Sequence, residues 1–177
     1  MLVRKLLGLE PEENPTHAGD TETVRRIARQ LGALAPETAR YVAAFAFILS
    51  RVAHADAGIS PEETLEMERT VVRWGGIPTP QAALVVEIAK AQASLLGATE
   101  GPLVARQFKS FSTPPEREAL LHCLFAVSAA DDSVSSAEEA LILEIAAELG
   151  VSDQDFIAVR RSYNDKRAVL KGFSRRA

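Results

Sequence analysis

The feature that most restricts how this chain can fold is a repeat of the chain within itself. Shifted by 75 positions, residues 38–75 match residues 113–150 at nine of 38 places. The identities are Thr38/Thr113, Ala44/Ala119, Leu49/Leu124, Val52/Val127, Ala55/Ala130, Asp56/Asp131, Ser60/Ser135, Glu63/Glu138 and Gly75/Gly150. They fall on helix starts, helix ends and the loop between, so a structural unit recurs rather than a composition. The apolar spacing recurs too: Met67, Thr70, Val71 and Trp74 answer Ile142, Ile145, Ala146 and Leu149. Both sets follow i, i+3, i+4, i+7, the buried stripe of a surface helix. Residues 41–53 and 119–130 are apolar almost all round, which places two helices at the centre.

Helix punctuation fills in the rest. Asp20 or Thr21 opens a helix to about Leu34, and Pro36 opens another to about Ala55. Ser60-Pro61-Glu62-Glu63 joins an N-cap, a proline at the first helical position and a glutamate three after the cap. That helix runs to Trp74, where Gly75-Gly76 stops it. Further helices are expected from Thr79-Pro80 to Gly97, over Pro102–Phe111, and from Thr113-Pro114 to Ala130. Ser135 and Glu138 form a second capping box opening a helix closed by Gly150, and Ser152 caps a last helix to about Leu170. No segment alternates with the period of a strand. The expected fold is all-α, two duplicated four-helix halves related by pseudo-twofold symmetry.

At 177 residues, 47% hydrophobic and 25% charged, the chain suits one globular domain. The expected division is a loosely ordered segment 1–19, a helical domain 20–170 and a basic tail 171–177. The longest apolar run, Val42–Leu49, is too short for a transmembrane segment, and Met1–Leu9 is too short for a signal peptide. A cytoplasmic location is expected. The formal net charge of −4 divides into +6 over residues 156–177 and −10 elsewhere. An acidic body argues against general nucleic-acid binding, and the basic end reads as a solvated helix terminus.

The repeated loops carry the chemistry. The first reads His54-Ala55-Asp56-Ala57-Gly58-Ile59-Ser60-Pro61-Glu62-Glu63, the second Ala130-Asp131-Asp132-Ser133-Val134-Ser135-Ser136-Ala137-Glu138-Glu139. Ile59 and Val134 read as apolar plugs, Ser60 and Ser135 as N-caps, and Glu63 and Glu138 as their capping partners. Asp56 and Asp131 stand at helix C-termini, where exposed carbonyls disfavour a carboxylate by a few tenths of a kcal/mol. An Asx-type turn offsets that cost. A bound cation reverses its sign. The seven-residue Asp-to-Glu separation is shorter than in an EF-hand, and the intervening ligands are missing. One loop supplies too few carboxylates for a hard-cation cage. Two loops brought together supply Asp56, Glu63, Asp131 and Glu138, with Glu62, Asp132 and Glu139 nearby. Oxygen ligands of this kind favour calcium, magnesium or manganese.

This twice-occurring Ala-Asp loop, closed by Ile or Val, Ser and Glu between two helices, resembles the TerB-like family of tellurite-resistance proteins. The resemblance covers roughly residues 20–168. It implies a compact helical fold with pseudo-twofold symmetry and an acidic patch for divalent cations. It also implies a part in tellurite, metal or chemical stress, with protein partners in a membrane-associated stress complex, and no established catalysis. Its metal-ligand positions fall on Asp56, Glu63, Asp131 and Glu138. The family's glycine after the aspartate is absent here: Ala57 and Asp132 stand in its place. That departure bears on ligand geometry more than on fold.

Other residues read as structural. His54 has Ala129 as its counterpart, so the repeat does not support it as a ligand. His122 and Cys123 stand in an apolar helix and read as packing, with no third group for a nucleophile. Trp74 ends its apolar stripe and reads as core. No phosphate loop, dinucleotide fingerprint or serine elbow is present. Three functions follow: a cation-binding stress protein, a helical adaptor whose loops are only caps and turns, and, with least support, a metal-dependent enzyme.

Overall fold

The structure, a computed structural model, describes residues 22–53, 61–93, 101–130 and 133–165. Over these residues the chain forms eight α-helices: α1 (Glu22–Gly32), α2 (Pro36–Ser50), α3 (Pro61–Gly75), α4 (Thr79–Ala93), α5 (Gly101–Phe111), α6 (Pro114–Ser128), α7 (Ser136–Leu149) and α8 (Asp153–Arg161). Among the described residues the single extended pairing is an isolated β-bridge at Val134. The expected segments 1–19 and 171–177 lie outside the described residues.

The two helices without a polar face occupy the centre, because no orientation of either leaves a side suited to water. On α2, Val42 to Leu49 is buried without interruption, and on α6 Leu120, Leu121, Cys123, Leu124 and Phe125 are fully buried. Around them, α2 packs on α1, α4 and α5, while α6 packs on α3, α7 and α8. Phe45, Phe108 and Phe125 are the largest wholly enclosed side chains. Phe45 meets Phe108 edge-on at 6.3 Å, and Tyr41 lies 5.3 Å from Phe108, so α2 and α5 share one aromatic cluster.

The helix ends follow local chemistry. Gly76 (φ +62°) ends α3, and Gly150 (φ +68°) ends α7 in the left-handed conformation. Beyond Gly150, the Val151 N–H donates to the Ala146 carbonyl at 2.9 Å, the long bond of a Schellman motif. A capping box that the sequence reading passed over opens α6: the Thr113 N–H donates to Glu116 Oε2 at 2.7 Å.

Two expectations are corrected. The last helix stops at Arg161 instead of running to Leu170, with turns through Asp165. Ser162, Asn164 and Asp165 are weak helix formers, and Tyr163 turns inward to donate its hydroxyl to the His122 carbonyl at 3.0 Å. Trp74 is 38% exposed rather than core, although Met67 and Val71 on the same stripe are buried. Its ring leaves the interior at the end of α3 and lies against His122.

Candidate acidic site

In the second loop, the residues around the capping box carry out the roles their types suggest. Val134 is 1% exposed, so it plugs the loop into the core. Ser135 holds an extended backbone (φ −70°, ψ 162°), and its Oγ accepts the Glu138 N–H at 3.2 Å. In return the Ser135 N–H donates to Glu138 Oε2 at 2.7 Å. Two helix-end donors are thereby satisfied, a contribution of about 1 kcal/mol. Glu138 is only 9% exposed, which is unusual for a carboxylate and depends on those partners.

The neighbouring acids are placed differently. Glu139 accepts a hydrogen bond from Arg160 Nη1 of α8 at 3.2 Å, tying the start of α7 to the last helix. Glu62 lies exposed on the first turn of α3. Of the four candidate ligands, Glu138 alone has a described side chain. Glu63 belongs to α3, while Asp56 and Asp131 lie outside the described residues, as do His54, Ile59, Ser60 and Asp132. Among the described residues no group of three or more His, Cys, Asp or Glu side chains is placed to share a metal ion.

The sequence reading missed a cation close to the first loop. Arg51 follows α2 and is 14% exposed, with Nη1 bonded to Glu148 of α7 and Nη2 3.6 Å from Glu144. Gly101 lies against it: a Cβ there would meet Arg51 Nε at 2.8 Å. Arg51 and Glu148 are far apart in sequence and unmatched in the repeat, so no spacing signalled the pair. Cys123 is wholly buried, and burial pushes its thiol up to about 12, so it holds its proton at neutral pH. No described helix is long and apolar enough to cross a membrane.

The arrangement defines an all-helical protein in which a helix–loop–helix unit is closed by a buried, acid-bearing cap. The sequence profile of the family described as Tellurite resistance protein TerB matches residues 42–161, and the chain belongs to that family. No curated protein and no solved structure matches the chain.

Proposed function

We propose that this chain is a non-catalytic, divalent-cation-binding stress protein of the TerB type. Its two acidic loops lie side by side across a pseudo-twofold axis between four-helix halves. Asp56, Glu63, Asp131 and Glu138 supply the oxygen ligands for calcium, magnesium or manganese. The observation that carries this reading is the buried Glu138 carboxylate at the mouth of the second loop. Its Oε2 accepts the Ser135 N–H at 2.7 Å, which fixes the carboxylate at the start of α7. The order of helix lengths supports the duplication: 11, 15, 15 and 15 residues are followed by 11, 15, 14 and 9.

Calorimetric titration of chelator-treated protein with Ca²⁺, Mg²⁺, Mn²⁺ and Zn²⁺ tests the reading. Binding of one of the first three with a dissociation constant in the micromolar range is expected, about −8 kcal/mol. It should be lost in the Asp56→Asn/Asp131→Asn variant. Wild-type protein that takes up no cation would remove the reading.

A specific observation favours a second one. The reciprocal Ser135–Glu138 bonds are complete without any cation, as a loop serving only as a helix cap requires. In that case the chain is a helical adaptor that binds a protein partner, in a membrane-associated stress complex. Stability of the metal-free protein equal to that in saturating cation would favour the adaptor.

A further inference from the structure

The outer face of α7 is apolar although it faces solvent. Ala140, Leu143, Glu144 and Ala147 recur at i, i+3, i+4 and i+7, which puts them on one side of the helix, and all four are exposed. Leu143 is 48% exposed, and the Glu144 side chain 63%. Arg160 of α8 meets this face at its start, through Glu139, one helical turn before Leu143.

The first half of the chain shows how the corresponding face of α3 is covered. At the offset of 75 residues, Glu139 and Leu143 answer Thr64 and Glu68. There the second half of α4 lies alongside. Lys90 Nζ donates to Thr64 Oγ1 at 2.8 Å, and Glu68 and Glu87 line the same groove. The helix that supplies this cover, α4, has 15 residues, whereas α8 has 9 and ends at Arg161. Beyond Arg161 the chain turns to α6, where Tyr163 donates to the His122 carbonyl at 3.0 Å. The turns of α4 that cover Glu68 therefore have no helical counterpart over Leu143 among the described residues.

The sequence after Asp165 has the composition that this face calls for. Helix α7 carries four glutamates and no basic residue, and its partners Arg51 and Arg160 leave two negative charges in excess. Residues 166–177 hold five basic side chains and no acidic one, interleaved with Val169, Leu170 and Phe173. Asp165 is only five residues past Arg160, and Leu143 lies about 6 Å along α7 from Glu139. Twelve residues span at most about 40 Å, so reach is ample.

We propose that residues 166–177 fold back as a strap across the outer face of α7. Val169 and Leu170 lie against Leu143, and the flanking Lys166, Arg167 and Lys171 face Glu144. The occupant is the chain's own segment because a short tether holds it at an effective concentration in the millimolar range, far above that of a second copy at micromolar protein. The strap shares no residue with the candidate cation ligands, so its test is independent of cation binding in the acidic loops.

Thiol labelling of the full-length protein tests the strap. Cys123 is wholly buried, so an introduced surface thiol reports alone. The maleimide reaction of Leu143→Cys is compared with that of Leu65→Cys, which stands on α3 where the leucine is 52% exposed. Adding Val169→Asp and Leu170→Asp should accelerate labelling of Leu143→Cys at least about tenfold and that of Leu65→Cys by less than about twofold. Lys166→Glu with Arg167→Glu should accelerate the first about threefold or more. Unchanged labelling of Leu143→Cys in both strap variants, or equal acceleration at the two sites, overturns the strap. Protection of Leu143→Cys that grows with protein concentration from about 1 to about 100 μM assigns the cover to a second copy and overturns it also.

Discussion

Trp74 of α3 and His122 of α6 stack with ring centroids 4.7 Å apart and planes 9° from parallel. His122 Nδ1 is buried without a hydrogen-bond partner, and the Tyr163 ring lies 6.1 Å from the imidazole. The imidazole is thus held between two helices as a flat, neutral spacer. Burial lowers its pKa below the ordinary histidine value, with Glu118 opposing that shift through its charge. The titratable ring beside it is that of Tyr163, which follows α8.

The stack makes stability depend on pH. Above about pH 6.5 the imidazole is neutral in the folded and unfolded chains alike, and the shift has no effect. As pH falls below that value the unfolded chain takes up a proton that the folded chain refuses. Stability is therefore lost on acidification, until the lowered folded pKa is reached. Thermal melts from pH 8 to pH 5 should show this decline, and His122→Gln should flatten it. An unchanged slope in the variant would assign the effect to other groups.

The second capping box should matter without any metal. Ser135→Ala removes the acceptor of the Glu138 N–H and should cost about 1 kcal/mol in denaturant melts of chelated protein. Glu138→Gln preserves the bond from the Ser135 N–H and should cost clearly less than Glu138→Ala.

Gly150 should resist substitution. Its φ of +68° is a conformation that alanine adopts only at a cost of about 1–2 kcal/mol. A Cβ at this position would also displace the Lys109 side chain. Gly150→Ala should lower the melting temperature by several degrees, whereas Gly32→Ala, with nothing within 4 Å of the added atom, should not.

Cys123 should react only on unfolding. It is the chain's single thiol, wholly enclosed and raised to about 12, so a thiol reagent at pH 8 meets neither an accessible sulfur nor a thiolate. Native protein should label slowly and denatured protein at once. Rapid native labelling would mean that the α3–α6 packing opens freely.

Much of the fold was legible because helix ends are written in local chemistry. Pro36, Pro61 and Pro114 begin helices, and Gly76 and Gly150 supply the left-handed residues that end two of them. The stripe Ile142, Ile145, Ala146 and Leu149 is buried as its spacing required. Trp74 departs from the parallel stripe because a residue in the last turn of a helix can leave the core when a flat partner waits beside it. That partner, His122, comes from a helix 48 positions away and carries no local signal. The end of α8 was misplaced for the same reason: Tyr163 is held by the His122 carbonyl and lies 5.3 Å from the Phe125 ring, both distant in sequence.

Local patterning was enough for the all-helical class, the helix starts and the two central apolar helices. These depend on periodicity and capping, which act within a few residues. Which polar groups meet is a matter of how the helices pack. Arg51 joins Glu148 across the interior, Glu139 joins Arg160, and Tyr41, Trp74, Gln81 and Glu116 border one cleft from four helices. Such meetings depend on how helices cross, and crossing is set by packed side chains whose partners no local pattern names.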